Sequence, residues 1–459
     1  MKIIIIGAGP GGYETALEAA KRGIEVVLVE KGNVGGTCLN EGCIPTKVMC
    51  RSAEVLEEMR SASDFGVIAC SGTEEMSKID FGKVRQRKSE VVEQLRSGVE
   101  TLLDYKLITL LHGRAVIKDA HTVEVDGNEY VSDYIIVATG SSSASLNVQG
   151  GDLPGLLSSR EMLDIDHVPS SLCVIGAGVI GLEFASVFSS FGSRVTVLEY
   201  CGQILPRFDS DLAKRLKQSL SKRGIEIVTS AAVQSVSVGD EAYGRGQSYR
   251  VEYEFKGKKE ELVAERVLVA VGRRPVVDGL GLENAGVEYS PKGIAVDDNM
   301  QTTCTSIYAI GDVTGKMMLA HAAVYQGLRA LNHICGQSDG IDLSIVPSAV
   351  FTMPEAASVG MTEEECKGKG IACKAVKSFF RANGKAVALG QTDGFVKIVV
   401  SDGDGTGYKD GQILGCHMFG PHAADLIAEM TVLICRKSTI EDLSSIIHAH
   451  PTLSEVFRV

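Results

Sequence analysis

The sequence predicts an α/β protein built on two copies of one β-α-β unit, followed by a C-terminal α+β region. Each copy starts with a short apolar run, Ile3 to Ile6 or Leu172 to Ile175, that leads directly into a glycine-rich turn. A helical pattern follows each turn, and the next apolar run ends in a glutamate. The C-terminal region has no such turn. Because the spacing repeats, we interpret the two copies as structurally equivalent units.

The two glycine motifs agree position by position. The equivalent residues are Gly7 and Gly176, Gly9 and Gly178, Gly12 and Gly181, Glu14 and Glu183, Gly23 and Gly192, and Glu30 and Glu199. In such a motif the first glycine makes a tight turn, the second lets the backbone approach a pyrophosphate, and the third lets helix and strand pack closely. The helix N-terminus attracts the phosphates, and the terminal carboxylate accepts hydrogen bonds from ribose hydroxyls. Each copy therefore predicts a dinucleotide site, with ordinary glycine turns as the weaker alternative.

Composition narrows the class of function. The chain has 459 residues, enough for about three or four domains, and a net charge of -12. This charge disfavours nucleic acid and anionic membranes as main partners. No apolar stretch approaches the roughly 20 residues of a membrane span, and no export signal is visible. The twelve cysteines are dilute, which favours a reducing cytoplasm.

The chain divides into four regions. Their predicted boundaries are 1–143, 144–272, 273–342 and 343–459. Residue periodicity predicts further elements within them, namely helices over 84–105 and 321–334, a polar loop over 239–248, and strands over 395–401 and 412–419. The third region is expected to complete the first nucleotide site, and the fourth to form an interface or substrate domain.

Cys38 and Cys43 are spaced for redox chemistry if the backbone between them is irregular. On a regular helix, residues five apart have Cα atoms about 8.6 Å apart, whereas a disulfide needs less than about 7 Å. Gly42 and Pro45 supply the irregularity. A helix starting near Cys43 would favour its thiolate, and Lys47 would add a positive charge on the same face. A structural disulfide or two free thiols is the alternative, and the other ten cysteines are expected to be buried or inert thiols.

The segment from Gly35 to Lys47, which lies between the two glycine motifs, resembles the pyridine nucleotide disulfide oxidoreductases. The resemblance to this family extends over essentially the whole chain. The resemblance implies a homodimer with FAD in residues 1–143, NAD in residues 144–272 and an α+β dimerisation domain at the C-terminus. Cys43 resembles the thiol beside the flavin and Cys38 the thiol that exchanges with substrate. Lys47 and Glu183 would form an ion pair at the flavin and nicotinamide faces.

The C-terminal segment resembles the family's His-Glu dyad. There His450 would take a proton from the attacking thiol, and Glu455 would orient the imidazole. Histidine titrates near neutrality, and a carboxylate partner fixes its tautomer and raises its basicity. The resemblance further implies that this dyad serves the cysteines of the other subunit, so a monomer would be inactive.

Matching stretches imply further cofactor contacts. For FAD these are Gly113, Thr139, Gly140, Ser141, Asp312, Met318, Leu319, Ala320 and His321, and for NAD they are Val233 and Gly272. A carboxylate at Glu199 accepts a ribose 2′-hydroxyl and repels a 2′-phosphate, and residues 200–206 contain no Arg or Lys. This pattern favours NAD over NADP.

The resemblance implies an enzyme that oxidises dihydrolipoyl groups with NAD. Its partners would be the lipoyl domains and acyltransferase subunit of 2-oxo acid dehydrogenase complexes, or a glycine cleavage complex. Two alternatives stay open from the sequence. One is a flavin-dependent reductase of another disulfide or a quinone, and the other is a protein that serves mainly as a docking component of a multienzyme complex.

Overall fold

The computed structural model describes residues 1–67, 79–243, 246–403 and 407–458. Strands and helices in the first region alternate as the sequence predicts. The strands are β1 (Lys2–Ile6), β2 (Glu25–Glu30), β3 (Ile108–His112), β4 (Ala115–Ile117), β5 (Thr122–Val125), β6 (Asn128–Val131), β7 (Tyr134–Val137) and β8 (Ser141–Ser143). The helices are α1 (Pro10–Lys21), α2 (Gly36–Glu41), α3 (Cys43–Arg60) and α4 (Phe81–Leu103), with a 3-10 turn at Ala62–Phe65. The predicted helix over 84–105 is thus confirmed as α4.

A parallel sheet forms the centre of this region. β1 lies between β2 and β7, and β3 pairs with β2, all in parallel register. Ile3, Ile4 and Ile5 of β1 are fully buried. Such a continuous apolar strand is typical of a parallel sheet that is covered on both faces.

The second region repeats this arrangement. Its strands are β9 (Leu156–Leu157), β10 (Ser171–Ile175), β11 (Arg194–Glu199), β12 (Glu226–Thr229), β13 (Ala231–Tyr243), β14 (Gly246–Phe255), β15 (Lys258–Ala264) and β16 (Arg266–Val269). Its helices are α5 (Ser159–Met162), α6 (Val179–Phe191) and α7 (Ser210–Lys222). A parallel five-stranded sheet runs in the order β12-β11-β10-β16-β9, and β13, β14 and β15 form an antiparallel sheet.

The predicted polar loop over 239–248 is wrong. β13 continues to Tyr243 and β14 begins at Gly246, and these two residues still pair across the hairpin. Residues 244 and 245 lie outside the described part of the chain. Because antiparallel pairing uses backbone groups, polar residues can extend a hairpin as well as apolar ones.

The third region completes the first sheet. It contains β17 (Arg273–Pro275), β18 (Tyr289–Ser290), β19 (Gly293–Ile294), β20 (Ile307–Ala309), α8 (Ala320–Ile334) and 3-10 turns at Leu282–Ala285 and Gly311–Thr314. β20 pairs in parallel with β7, which gives the five-stranded order β20-β7-β1-β2-β3. β17 pairs antiparallel with β8. The region therefore folds onto the first unit, although the exact boundaries stay predictions.

The fourth region is an antiparallel sheet with helices. It contains β21 (Ser348–Val350), β22 (Glu355–Gly360), β23 (Cys373–Phe379), β24 (Phe395–Ser401), β25 (Ile413–Gly420), α9 (Glu363–Gly368), α10 (Gly384–Ala388), α11 (Ala423–Cys435), α12 (Ile440–Ser444) and 3-10 turns at Phe380–Ala382 and Leu453–Phe457. The strand order is β21-β22-β25-β24-β23. This confirms the predicted α+β class for the C-terminal region.

One apolar cluster joins the regions. It includes Met49 of α3, Phe184 of α6, Val350 of β21 and Phe395 of β24, all buried. α3, which begins at Cys43, therefore packs against the second and fourth regions. None of the helices in the described residues is long and apolar enough to cross a bilayer.

Candidate active site

The first glycine turn leaves space where the sequence predicts a pyrophosphate. Gly7 has a φ of +104°, and a Cβ there would lie 2.4 Å from the carbonyl oxygen of Ala138. A Cβ on Gly12 would lie 1.8 Å from the carbonyl oxygen of Gly7. A Cβ on Gly9, which precedes α1, would approach no atom closer than 3.9 Å. The outer glycines are required by the fold, and the middle one borders open space at a helix N-terminus.

The second turn has the same geometry. Gly176 has a φ of +105°, and a Cβ on Gly181 would lie 2.0 Å from the carbonyl oxygen of Gly176. A Cβ on Gly178, at the start of α6, would have no neighbour within 4 Å. Both turns thus fit the phosphates of a dinucleotide, because backbone N–H groups at a helix start face unfilled space.

The terminal glutamates hold both turns. Glu30 accepts hydrogen bonds from Ala8 N at 2.7 Å and Gly32 N at 2.8 Å. Glu199 accepts them from Ala177 N at 2.6 Å and Cys201 N at 2.7 Å. A carboxylate oxygen can accept more than one hydrogen bond, so these contacts leave capacity for a ribose hydroxyl.

Asp312 and Ser141 lie together beside the first unit. The Ser141 hydroxyl donates a short hydrogen bond to Asp312, and Arg273 Nε donates to the Ser141 hydroxyl at 2.7 Å. β17 carries Arg273 to this position by pairing with β8. Arg273 was not among the predicted site residues, although it follows the predicted Gly272. The sequence signal that could have identified Arg273 is an arginine directly after a glycine at the end of an apolar run.

The other predicted cofactor residues lie at several points around the two turns. Thr139 donates to Val276 O at 2.8 Å, and Val276 N donates to Gly140 O at 3.0 Å. Gly113 N donates to Glu30 O at 3.0 Å. Met318 and Leu319 precede α8, and Ala320 and His321 are its first two residues. Val233 lies in β13, and Gly272 has a φ of +123° with no neighbour within 4 Å of its Cβ position.

Cys38 and Cys43 lie on two successive helices with an irregular backbone between them. Cys38 belongs to α2, and Cys43 is the first residue of α3, with Gly42 in a non-helical conformation (φ -144°, ψ -107°). A Cβ on Gly42 would lie 2.9 Å from Thr37 O. The predicted helix start at Cys43 is confirmed, and both residues are free thiols here.

The two thiols have different acidities. A hydrogen bond from Cys38, opposed by burial and assisted by Lys47, lowers the pKa of Cys43 to about 7. The same hydrogen bond, together with burial, raises the pKa of Cys38. The position of Cys43 at a helix N-terminus also favours its thiolate. Cys43 is therefore the thiolate of the pair, and Cys38 keeps its proton.

Lys47 and Glu183 form a bidentate ion pair. Lys47 Nζ lies 2.8 Å from both carboxylate oxygens of Glu183, whose side chain is only 4% exposed. Phe351 N also donates to Glu183 Oε1 at 3.0 Å. Burial disfavours the charge on Lys47, but Glu183 outweighs burial and the pKa of Lys47 is raised. The pair links α3 of the first unit to α6 of the second.

His450 and Glu455 form a hydrogen-bonded pair that faces outward. The two carboxylate oxygens of Glu455 lie 3.1 Å and 3.2 Å from His450 Nδ1. The His450 side chain is 79% exposed. A backbone hydrogen bond from Thr452, followed by the bond to His450, lowers the pKa of Glu455. Among the described residues, no hydrogen bond or ion pair joins His450 to Cys38 or Cys43 within one chain.

The fold and this site define a two-dinucleotide oxidoreductase with a dithiol between its nucleotide units. Residues 1–327 match the model of the pyridine nucleotide-disulphide oxidoreductase family, and residues 346–459 match its dimerisation domain. The chain belongs to this family, which uses FAD and NAD. The resemblance predicted from the sequence is confirmed.

Named relatives cover nearly the full chain. A protein named dihydrolipoyl dehydrogenase from Geobacillus stearothermophilus is 40% identical over 99% of this chain and 94% of its own length. A protein of the same name from Bacillus subtilis (strain 168) is 38% identical over 99% of this chain and 96% of its own. Among solved structures, the HOCl-induced flavoprotein disulfide reductase RclA from Escherichia coli superposes with a TM-score of 0.85. It has 29% identity and covers 100% of this chain and 98% of that one.

Proposed function

We propose that this protein is a dihydrolipoyl dehydrogenase. It oxidises a dihydrolipoyl group to lipoyl and passes the electrons to NAD⁺, which yields NADH and a proton. The observation that carries the proposal is the thiol pair Cys38 and Cys43, which lies where α2 meets α3, between two dinucleotide units. Relatives with this name share 38% to 40% of their residues over nearly the full chain.

The two cysteines have separate roles. Bound FAD would accept two electrons from the dithiol and release them to the nicotinamide. Cys43 supplies the thiolate next to that cofactor, because its pKa is lowered to about 7. In the oxidised enzyme the two cysteines are joined as a disulfide. A substrate thiolate attacks Cys38, the Cys38–Cys43 bond breaks, and Cys43 leaves as the thiolate. The second substrate thiol then displaces Cys38, which takes up a proton because its pKa is raised, and the lipoyl disulfide is released. Lys47 keeps positive charge beside Cys43 and is itself held by Glu183.

The cofactor residues divide between the two units. Gly7, Gly9, Gly12 and Glu30 hold the FAD pyrophosphate and ribose, and further FAD contacts come from Gly113, Thr139, Gly140, Ser141, Asp312, Met318, Leu319, Ala320 and His321. Gly176, Gly178, Gly181, Glu199, Val233 and Gly272 hold NAD, with Glu183 at the nicotinamide. Glu199 supports NAD over NADP because a carboxylate repels a 2′-phosphate.

The base that removes the proton of the substrate thiol comes from the second subunit. His450 accepts this proton from the attacking substrate thiol, and Glu455 orients the imidazole through Nδ1. The outward-facing His450 ring supports a role at the active site of a partner subunit. The match of residues 346–459 to a dimerisation domain supports a homodimer.

The expected partners follow from the proposed substrate. Lipoyl groups are carried on lipoyl domains, so these domains and the acyltransferase subunit of a 2-oxo acid dehydrogenase complex, or a glycine cleavage complex, would meet the protein. We place this function in the cytoplasm.

Steady-state kinetics test the substrate. The purified flavin-loaded protein should reduce NAD⁺ with dihydrolipoamide, with a kcat/KM at least about tenfold above that for NADP⁺. NADH-dependent reduction of glutathione disulfide and of a quinone should each have a lower kcat/KM than lipoamide. A preference for either competitor would overturn the assignment.

A second candidate function comes from the solved-structure comparison. The structural likeness to a flavoprotein disulfide reductase favours reduction of a different disulfide by the same dithiol. The same kinetic comparison separates the two functions. A reductase of another disulfide would have a higher kcat/KM for NADH-dependent reduction of that disulfide than for NAD⁺ reduction by dihydrolipoamide.

A docking role without catalysis is tested separately. A Cys43→Ser variant should fail to rescue a strain lacking the gene while it still assembles with its complex. Rescue by this variant would favour docking.

A further inference from the structure

A second pair of thiols lies in the fourth region, away from Cys38 and Cys43. Cys366 belongs to α9, and Cys373 is the first residue of β23. Both are free thiols, and they belong to one small apolar cluster with Val399 and Leu414. The sequence predicts buried or inert thiols at these positions, and the structure places two of them next to each other.

The chain between the two cysteines turns back on itself. Lys369 N and Ile371 N both donate to Cys366 O, at 3.1 Å and 2.9 Å, and Gly370 has a φ of +69°. Cys373 is then fixed in the sheet by its pairing with Ser401 of β24. The turn thus brings Cys373 against the cluster that contains Cys366, where the two thiol side chains are hydrogen-bonded to each other.

The two thiols differ in access. Cys366 is fully buried, whereas Cys373 is partly exposed. Burial, assisted by the neighbouring Cys373, raises the pKa of Cys366 to about 12. The thiolate is the nucleophile in disulfide exchange, and access controls its reaction with outside reagents. Cys373 is therefore the thiol that a dissolved disulfide meets first.

We propose that Cys366 and Cys373 form a second redox site, a dithiol that small-molecule disulfides convert reversibly into an intramolecular disulfide. The site is separate from the flavin dithiol and does not depend on the identity of the flavin site's substrate. Cys366 lies on the same helix as Glu363, whose carboxylate lies 2.5 Å from Lys397 Nζ of β24. Oxidation would fasten the end of α9 to β23.

The reaction balances with a disulfide such as glutathione disulfide as the oxidant. The Cys373 thiolate attacks one sulfur of the oxidant, its S–S bond breaks, and one glutathione leaves as the thiol. Cys366 then attacks the sulfur of Cys373 in the mixed disulfide, and the second glutathione leaves. Two cysteine thiols are oxidised, the oxidant is reduced to two thiols, and the two cysteine protons pass to the two glutathiones.

Peptide mapping tests the proposal directly. The flavin-loaded protein is incubated with glutathione disulfide, the remaining thiols are blocked with iodoacetamide, and the protein is digested with trypsin without reduction. Trypsin cuts after Lys367, Lys369 and Lys374, so the two cysteines fall on separate peptides. A disulfide between them appears as a linked pair of peptides that separates on reduction. Because the Cys366 peptide also contains Cys335, fragment ions must place the link on Cys366 and the iodoacetamide label on Cys335.

Variants assign the two steps. In the wild type we expect the linked pair and no glutathione on Cys373. In Cys366→Ala we expect glutathione to stay on Cys373, because the thiol that displaces it is gone, while dihydrolipoamide oxidation is unchanged. Cys435→Ala, at an exposed single thiol, is the matched control and should give the wild-type map.

The wild-type map decides the outcome even where a variant folds poorly. If Cys366 and Cys373 stay unlinked under conditions that oxidise Cys38 and Cys43, the proposal is overturned. A stable glutathione adduct on Cys373 in the wild type, with Cys366 free, would overturn it as well.

Discussion

The acidity of Cys43 is decided by its immediate neighbours. Three features act on one sulfur, namely the hydrogen bond from Cys38, the charge of Lys47 and the start of α3. Burial opposes them and is outweighed, so the pKa of Cys43 falls to about 7. Glu183 raises the pKa of Lys47 and so keeps this lysine charged. The same carboxylate raises the pKa of Cys43 directly, and this effect is also outweighed.

We predict that Cys43 reacts as a thiolate near neutral pH. Since its pKa is lowered, the thiolate fraction rises as the pH rises through about 7. In the dithiol-reduced, flavin-loaded protein, the rate of Cys43 alkylation by iodoacetamide should follow this midpoint, as measured by peptide mass. In Cys38→Ala the midpoint should move upward, because the largest stabilising contact is lost. Cys435→Ala should leave it unchanged.

A wild-type midpoint near the ordinary thiol pKa of about 8.5, with no change in Cys38→Ala, would contradict this assignment. It would mean that neither the hydrogen bond nor the helix start affects the sulfur.

At the scale of elements, the two strand-turn-helix units are built alike, and we propose that each binds its dinucleotide next to its middle glycine. A Cβ on the first or third glycine would meet the protein's own backbone, whereas a Cβ on the second would meet little or nothing. Folding therefore requires the first and third glycines, whereas dinucleotide binding requires the second. Substitution of a single glycine by alanine can test each requirement separately.

Gly178→Ala should fold normally and lose NAD affinity. The added methyl group meets no protein atom within 4 Å, so the urea midpoint and FAD content should match the wild type. It would occupy the space of the pyrophosphate, and we expect the Kd for NADH to rise at least about tenfold, or 1.4 kcal/mol. Fluorescence titration with NADH measures the change.

Gly181→Ala is the matched comparison. Its methyl group would lie 2.0 Å from Gly176 O, so overpacking should lower the free energy of unfolding by about 1–3 kcal/mol. Wild-type NADH affinity in Gly178→Ala would contradict the placement of the pyrophosphate.

Local patterns predicted the fold and much of the candidate site. The glycine motifs, the start of α3 at Cys43 and the span of α4 all depend on residues near one another in sequence. Contacts between distant segments were less predictable. Arg273 reaches Ser141 only because β17 pairs with β8. The pairing of Cys366 with Cys373 depends on a turn whose geometry no periodicity reveals.

At the scale of the whole molecule, a buried ion cluster joins the second and fourth regions. Lys397 of β24 is 1% exposed and lies 2.8 Å from Asp209, which is fully buried. Asp209 also caps α7 by accepting from Asp211 N and Leu212 N at 3.1 Å. One side chain therefore stabilises a helix start and an interface between regions.

We predict that Lys397→Met is strongly destabilising. It leaves the carboxylate of Asp209 buried without its partner, which typically costs 3–5 kcal/mol, so we expect a loss of roughly that size. Lys374→Met is the control, since Lys374 is 55% exposed and pairs with an exposed Asp402, and it should lower the free energy of unfolding far less because exposed ion pairs contribute little. Urea unfolding measures both. Equal losses in the two variants would contradict the role of the cluster.

The dimer is expected to complete the active site. If His450 serves the cysteines of the partner subunit, Cys43→Ser and His450→Ala homodimers should both be nearly inactive. The mixed dimer, purified through both tags, should recover roughly half of the wild-type activity because one of its two sites is intact, and the unfractionated mixture roughly a quarter because random pairing makes half of the dimers mixed. Co-expression with two different tags measures this. Mixed dimers as inactive as the parents would show that the dyad acts within its own chain.

We propose that a thiolate at Cys43 faces the flavin. Anaerobic titration of the flavin-loaded protein with dihydrolipoamide, monitored by absorbance, tests this placement. The wild type should develop a long-wavelength band after two electrons have been added, and Cys43→Ser should show no such band. A band that persists in Cys43→Ser, or a wild-type flavin that bleaches without one, would contradict it.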